Sequence, residues 1–362
     1  MLSDIEYMDR ALELAERGRG RTSPNPMVGV VIVCDDGTVV GQGFHERAGG
    51  PHAEVRALDE AGDLARGATL FCTLEPCCHV GRTGPCVERI VSAGIKRVIA
   101  AIEDPNPIVS GRGFEHLRQR GIQVNVGVGR ERATKLNCAY LTFMRTGRPF
   151  VILKAATSLD NRIAGRAGVR TILTSAESER HAHAVRAEVD AIGVGSETIL
   201  VDDPLLTVRR IRRDRPLVRV LFDRRLRTPP AARVFSTLDA GPVIIITTPE
   251  TIGHEPDRVR RLEQAGALLE PIKGGGLRDA FARLAELQVT SLLLEGGPTL
   301  QAAAWAGGMV DVVQLYVAPI TIGPGGVPWL DAQTVSVAGL ADRRVVPCGP
   351  DVFMEGYVHR PY

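Results

Sequence analysis

His52-Ala53-Glu54 opens the stretch that decides the reading, and Thr73-Leu74-Glu75-Pro76-Cys77-Cys78-His79-Val80-Gly81-Arg82-Thr83-Gly84-Pro85-Cys86 completes it. Together they offer one imidazole, two thiols that each follow a proline, and a carboxylate that need not bind metal. A catalytic zinc takes three protein ligands and keeps a fourth position for water. His52, Cys77 and Cys86 are the expected ligands. Cys78 adjoins Cys77 and is left out of the set. Water at such a metal loses its proton near neutral pH and can attack an amidine-like ring carbon. Glu54, two residues beyond the histidine, is placed to carry a proton from that water to leaving ammonia. The competing view, buried free cysteines beside a surface histidine, does not account for H-A-E and two Pro-Cys pairs occurring in this order.

Zinc deaminases of nucleobases carry H-x-E followed by P-C-x-x-C. Here the second half is stretched, with eight residues between Cys77 and Cys86. The insert from His79 to Pro85 is rich in Gly, Pro and basic side chains, which suits a substrate loop. Its form, P-C-x-H-x-G-R-T-x-P-C, resembles the deaminase half of the bifunctional riboflavin-biosynthesis deaminase–reductases. That resemblance extends over nearly the whole chain. It implies deamination of 2,5-diamino-6-ribosylamino-4(3H)-pyrimidinone 5′-phosphate, then reduction of the ribosyl side chain with NADPH.

The 362 residues suggest about two domains at ~150 each. A net charge of +2 with 4% aromatic residues argues against a nucleic-acid partner. The Arg209 to Arg215 cluster reads as a solvated face. Seven clustered cysteines suit a metal site with spare thiols better than a disulfide framework. The charged, amphipathic start is no signal peptide, and no apolar run reaches the ~20 residues of a membrane span. A cytoplasmic enzyme is expected, with no membrane or nucleic-acid partner.

Ser3 and Glu6 read as a capping box opening a helix. Val28 to Val33 is a strand, turned at Asp35-Asp36-Gly37 to pair with Val39 to Gly43. Asn25 lies on the loop before it, where an asparagine either caps a turn or meets a ligand. His52 to Leu64 is a helix, Ala68 to Thr73 a strand, Cys86 to Ala93 a helix and Arg97 to Ile102 a strand. Asp104-Pro105-Asn106-Pro107 then sits at the strand's carboxyl end, the edge where open α/β sheets bind ligands. A helix at Phe114 to Arg120 and a strand at Gln123 to Val128 follow. The alternation implies a mixed sheet covered on both faces. The resemblance makes this first part, residues 1–146, a cytidine-deaminase-like three-layer α/β/α domain, with Asn25, His79, Arg82, Asp104 and Asn106 binding the pyrimidine substrate.

The polar stretch Arg145 to Pro149 reads as the joint. A second part, 150–362, restarts with a strand from Phe150 to Lys154. Thr174 and Glu177 are expected to cap a helix carrying Arg186. A strand from Asp190 to Val194 ends in Gly193-Val194-Gly195, and Leu217 to Asp223, Val243 to Thr247 and Ser291 to Leu294 read as buried strands. Glu295-Gly296-Gly297-Pro298-Thr299 is a strand-to-helix turn whose backbone amides could approach a phosphate. Strands at Val312 to Ala318 and Val352 to His359 finish the chain. Thr157 to Ala164, Leu200 to Arg209 and the Glu295 turn resemble the family's reductase half, implying a dihydrofolate-reductase-like α/β domain. That resemblance assigns Ala156, Thr198, Asp202, Gly297, Pro298 and Thr299 to NADPH, and Lys154, Arg186, Leu206, Arg209 and Glu295 to substrate. Three positions depart from the family. Arg170 and Ile172 stand where a Ser and a coenzyme-packing Trp are usual, and Arg224 replaces a Ser after the Asp223 strand end. Arg224 either points to solvent beside Arg225 and Arg227 or meets the extra phosphate of NADPH, which a guanidinium grips through its planar fork. The alternative is a deaminase whose second half is a degenerate reductase used for binding or oligomerisation. The phosphorylated pyrimidine is the expected partner, Zn2+ and NADPH the expected cofactors, and a homo-oligomer (dimer or tetramer) the expected assembly.

Overall fold

The apolar run at Val28–Val33 folds as β1 (Gly29–Val33), and successive side chains of a strand face opposite sides. Val30 and Ile32 accordingly enter one core cluster and Val31 and Val33 another. The computed structural model describes residues 2–79, 84–330 and 337–360. They form two units, one running through Gly147 and the other covering Arg148–Arg360.

In the first unit β2 (Val39–Phe44), β3 (Thr69–Cys72), β4 (Arg97–Ala100) and β5 (Gln123–Val126) complete a five-stranded sheet in the order β2-β1-β3-β4-β5. β2 and β3 run antiparallel to β1, and β3, β4 and β5 run parallel. Helices α1 (Asp4–Glu16), α5 (Arg130–Leu136) and α6 (Cys138–Thr146) cover the Val31 face, and α2 (Ala53–Ala61), α3 (Cys86–Ser92) and α4 (Arg112–Gln119) cover the Val30 face. This is the three-layer arrangement expected. The Ser3–Glu6 capping box is present.

The helix carrying the H-A-E motif lies unusually close to its sheet. Ala53, Ala57 and Ala61 recur every four residues along one face of α2, and β2 meets them with Gly41 and Gly43. A Cβ at Gly41 would fall 2.2 Å from the Ala57 carbonyl oxygen, and one at Gly43 2.6 Å from that of Ala53. Small residues on both sides therefore set the height of α2 above the sheet, and with it His52 and Glu54. The helix is shorter than expected. It ends at Ala61, where Gly62 takes φ +52°, and a 3₁₀ turn runs on to Ala65.

The second unit contributes β6 (Phe150–Ser158), β7 (Arg162–Ala164), β8 (Ala191–Gly195), β9 (Val218–Phe222), β10 (Val243–Thr247), β11 (Ala267–Pro271), β12 (Ser291–Gly296), β13 (Val312–Ala318), β14 (Val327–Pro328), β15 (Ala341–Cys348) and β16 (Asp351–Tyr357). Nine of these form one sheet, ordered β11-β10-β9-β8-β12-β6-β13-β16-β15, while β7 pairs with β14. The run from β11 to β13 is parallel. β16 and β15 close it antiparallel. Parallel strands buried on both faces explain the near-continuous apolar runs. Leu292 and Leu294 of β12 face one core cluster and Leu293 the other.

Two details of α7 (Ala176–Glu188) differ from expectation. Its N-cap is Ser175, not Thr174. Asp351 fixes that choice, because its Oδ2 accepts from the Ser175 amide at 2.8 Å, the Ser175 hydroxyl at 2.7 Å and the Ser178 hydroxyl at 2.6 Å. At the other end Arg213 donates to the carbonyls of Arg186 at 3.1 Å and Ala187 at 2.7 Å, where a helix dipole favours a cation. Arg215 pairs with Asp190 at 2.7 Å. The arginine cluster is therefore no simple solvated face, although Arg212 does point outward, with 90% of its side chain exposed. Among the described residues, no helix is long and apolar enough to cross a membrane.

Candidate active sites

His52 is the N-cap of α2 and Cys86 the first residue of α3. Cys77 lies on the loop after β3. His52 Nδ1 stands 3.3 Å from Cys86 Sγ and 3.5 Å from Cys77 Sγ. The three ligand atoms all lie within 4.8 Å of one another. Cys78 turns away, its thiol directed at the Ile108 carbonyl. Hydrogen bonds from Cys86 and His52 pull the Cys77 thiol well below its ordinary range, as a metal-binding thiolate requires. One imidazole and two thiols converging beside a buried carboxylate fit zinc. Glu54 sits in the first turn of α2, 4% exposed, and burial pushes its carboxyl up to about 7. Such a group trades a proton near neutral pH.

Asn25, expected to bind the pyrimidine, is linked to this group through His45, while His79 lies on the loop after β3 and Asp104 and Asn106 on the loop after β4. Asn25 Nδ2 meets His45 Nε2 at 3.1 Å, and His45 Nδ1 meets the Pro51 carbonyl at 3.1 Å. The carbonyl can only accept, so Nδ1 carries the proton and Nε2 accepts from Asn25. His45 is 3% exposed and burial lowers its pKa, which keeps that neutral tautomer. Its ring meets His52 edge-on at 5.7 Å. The loop bearing Asn25 is clamped by Asn137, which accepts from the Met27 amide at 2.8 Å and donates to its carbonyl at 2.9 Å. Asp104 is buried and accepts from Tyr140 at 2.8 Å and from the Asn106 amide at 2.9 Å. His79 Nδ1 is buried with no partner among the described residues, and buried polar atoms ordinarily have one. Arg82 lies outside the described residues. His45, Asn137 and Tyr140 were not anticipated. The partners of their side chains, Asn25, Met27 and Asp104, lie 20, 110 and 36 positions away, so no local pattern marks them.

In the second unit Arg186 on α7 and Glu295 at the end of β12 form a two-pronged pair, with Nε to Oε1 at 2.6 Å and the second prong from Nη2 to Oε2. Arg186 also donates to the Thr207 carbonyl at 3.1 Å. Burial alone would raise the Glu295 carboxyl, but Arg186 and Lys154 outweigh it and hold it at about 2. Lys154, on β6, projects over the Tyr316 ring at 5.4 Å, and burial lowers its pKa. The Tyr316 hydroxyl in turn meets His181 Nδ1 at 2.7 Å. Leu206 is 3% exposed and adopts φ +52°. The Arg209 side chain pairs with Glu179. The Arg209 amide donates to His183 Nδ1 at 3.2 Å.

The residues assigned to coenzyme lie mainly where β8 and β12 end side by side. Thr198, in α8 (Ser196–Asp202), faces the glycine turn: a Cβ at Gly296 would lie 3.0 Å from its hydroxyl, and one at Gly297 3.6 Å. A Cβ at Gly195 would lie 3.8 Å from the Gly297 amide nitrogen. The missing side chains leave a backbone-lined cradle, followed by Pro298 and Thr299 at a helix start, a form suited to a pyrophosphate. Ala156 pairs in register with Tyr316. Asp202 closes α8, its carboxyl raised by burial despite the charge of Arg170. Arg224 is on a separate turn, after β9, with its guanidinium 3.5 Å from where a Gly275 Cβ would be. Ile172 is 80% exposed, so it does not pack against the chain itself.

Comparison with known proteins finds a different family match in each unit. Residues 1–102 match the cytidine and deoxycytidylate deaminase zinc-binding region, and residues 149–354 match the RibD C-terminal domain. The riboflavin biosynthesis protein RibD of Aquifex aeolicus (strain VF5) is 43% identical, over 89% of this chain and 88% of its own. That of Escherichia coli (strain K12) is 42% identical, over 89% of each chain. Among solved structures, Acinetobacter baumannii RibD (form 1) superposes with a TM-score of 0.87 at 36% identity, over 98% of both chains. A Thermotoga maritima deaminase/reductase does so with 0.82 at 34% identity, over 98% of both chains.

Proposed function

The chain belongs to the RibD family of riboflavin biosynthesis proteins, and from that premise we propose how its residues divide two reactions between two units. The protein is a bifunctional enzyme. It hydrolytically deaminates 2,5-diamino-6-ribosylamino-4(3H)-pyrimidinone 5′-phosphate and then reduces the ribosyl side chain to ribityl, giving 5-amino-6-ribitylamino-uracil 5′-phosphate. It uses Zn2+ for the first step and NADPH for the second. The observation that carries this reading is the convergence of His52, Cys77 and Cys86 within 4.8 Å, in a chain with a separate cationic and glycine-lined site.

For deamination, His52, Cys77 and Cys86 would hold the zinc, which supplies a Lewis acid that makes water nucleophilic at neutral pH. Glu54 takes a proton at its carboxylate and returns it to the departing amine. Asn25, oriented by His45, and Asp104 with Asn106 bind the pyrimidine edge, with His79 offering its unpaired Nδ1. Arg82, three residues beyond His79 in sequence, is assigned to the same substrate.

For reduction, Gly297 to Thr299 and Thr198 bind the coenzyme's phosphates, with Ala156 and Asp202 beside them. The coenzyme supplies a hydride. Lys154, Arg186, Leu206, Arg209 and Glu295 bind the substrate. Lys154 is assigned to the sugar carbonyl exposed by ring opening, with the charges of Glu295 and Arg186 acting on it in opposite senses. A fragment beginning near Phe150 should reduce pre-deaminated substrate without zinc, since this unit has its own core. A folded but inert fragment would contradict a self-contained second site.

Arg224 contacts the phosphate that distinguishes NADPH from NADH. It is exposed at the carboxyl end of β9, the edge where such sheets bind nucleotides. Arg224→Ala should weaken NADPH by about 1.5–3 kcal/mol and leave NADH nearly unchanged, as read by titrating each coenzyme. Equal losses with both, or none, would remove Arg224 from the site.

The chain assembles as a homo-oligomer, a dimer or tetramer. Support comes from β15, an eight-residue strand at the edge of its sheet with Val345 58% exposed, because an unpaired strand edge can take up another chain. Light scattering measures the assembly. The enzyme works in the cytoplasm, whose reducing poise suits its seven reduced thiols.

A further inference from the structure

Glu75 lies two residues before Cys77, yet it is not among the atoms that converge as metal ligands. It is 4% exposed, and its carboxylate accepts four backbone N–H groups. Oε1 takes those of Gly113 at 2.9 Å and Phe114 at 3.3 Å. Oε2 takes those of Gly111 at 3.0 Å and Asp104 at 3.2 Å. The first three belong to the start of α4, where unpaired donors and the helix dipole favour an anion. The fourth is the first residue of the Asp104-Pro105-Asn106-Pro107 loop. The main chain supports the same junction, since the Glu75 amide donates to the Ile102 carbonyl at 3.0 Å. A Cβ at Gly113 would fall 2.2 Å from the Pro76 carbonyl oxygen, so α4 sits hard against the residue joining Glu75 to Cys77.

Capping one short helix does not require a buried charge. A hydroxyl or an exposed aspartate would serve, and burying a carboxylate is costly unless several donors surround it. Here one carboxylate joins three things: the segment that delivers a metal ligand, the start of α4, and the entry to the pyrimidine-reading loop. Tyr140 holds the far side of that loop through the Asp104 carboxylate. We propose that Glu75 is a positioning residue for deamination, setting the distance between the metal group and the loop Asp104–Asn106 that reads the pyrimidine. The proposal rests on the reading of that loop as a substrate contact.

The test uses the full-length enzyme with Glu75→Gln. The amide replaces one acceptor oxygen with a donor that faces two N–H groups. Zinc should stay at one per chain and the reductase rate should not change, while the deaminase KM rises about 10–100-fold. Unchanged KM, or a loss of zinc that parallels the loss of folded protein, would overturn the proposal. If Glu75→Gln does not fold, Glu75→Asp keeps the charge on a shorter stem: raised KM at full zinc supports the proposal, and unchanged KM overturns it. Asn106→Ala separates the two levels. If it raises KM and the Glu75 variants do not, the loop reading stands and the role of Glu75 fails. If it leaves KM unchanged, the loop reading fails and the proposal with it.

Discussion

Glu54→Gln should keep one zinc per chain and lose deamination by about 10²–10⁴-fold or more. The substitution preserves shape and removes only the group that trades a proton. Glu54 is expected not to bind the metal, because the three converging atoms belong to His52, Cys77 and Cys86. Its burial and its carboxyl pushed up to about 7 suit it to accept and return a proton in one cycle. Cys77→Ala should do the opposite and release the metal, since two ligands cannot hold a catalytic zinc firmly. Metal analysis of both variants beside their deaminase rates checks the assignment. Zinc lost from Glu54→Gln, or kept fully by Cys77→Ala, contradicts it.

Arg186→Met should abolish the reductase and destabilise the second unit by about 3–5 kcal/mol, the usual cost of leaving one partner of a buried pair uncompensated. Arg186 and Glu295 expose only 17% and 7% of their side chains, so solvent screens the pair little. Deamination should continue, because every residue assigned to it lies in the first unit. The pH dependence has a definite sign. The Glu295 carboxyl falls from an ordinary 4.5 to about 2 on folding. Its contribution is therefore present above about 4.5 and is lost as pH falls from there towards 2. Arg186→Met removes much of that contribution, so the variant's stability should change less over this acid range. Urea unfolding at several pH values measures both effects. An unchanged acid limb, or full NADPH oxidation by the variant, would remove the pair from the site.

Much of the metal group was legible because a zinc site constrains residue type and order more tightly than it constrains spacing. Eight residues between Cys77 and Cys86 were tolerable, since the two thiols still converge with His52. The strands at Gly29–Val33 and Ser291–Gly296 were legible from their unbroken apolar runs. Other features were hidden by distance along the chain. Asn137 clamps Met27 across 110 positions, and Asp351 sets the Ser175 cap across 176, and neither leaves a local signature. Thr174 and Ser175 are equivalent to a capping pattern until Asp351 distinguishes them. The two short helices Arg130–Leu136 and Cys138–Thr146 pack on the Val31 face through Ala133, Leu136, Tyr140 and Leu141, and they were not anticipated. The arginines from Arg209 to Arg215 read as one charged face, but the fold gives them separate tasks: Arg213 closes α7 and Arg215 pairs with Asp190.

The measurement that tests two activities in one chain most directly is NADPH oxidation by the full-length enzyme after its zinc has been chelated. Supplied with the deaminated pyrimidine phosphate, the zinc-stripped protein should oxidise NADPH at the rate of the intact enzyme. Supplied with the diamino precursor, it should oxidise none until zinc is restored. If the intact enzyme deaminates the precursor but oxidises no NADPH with the deaminated compound, the second unit is no reductase and the account is contradicted.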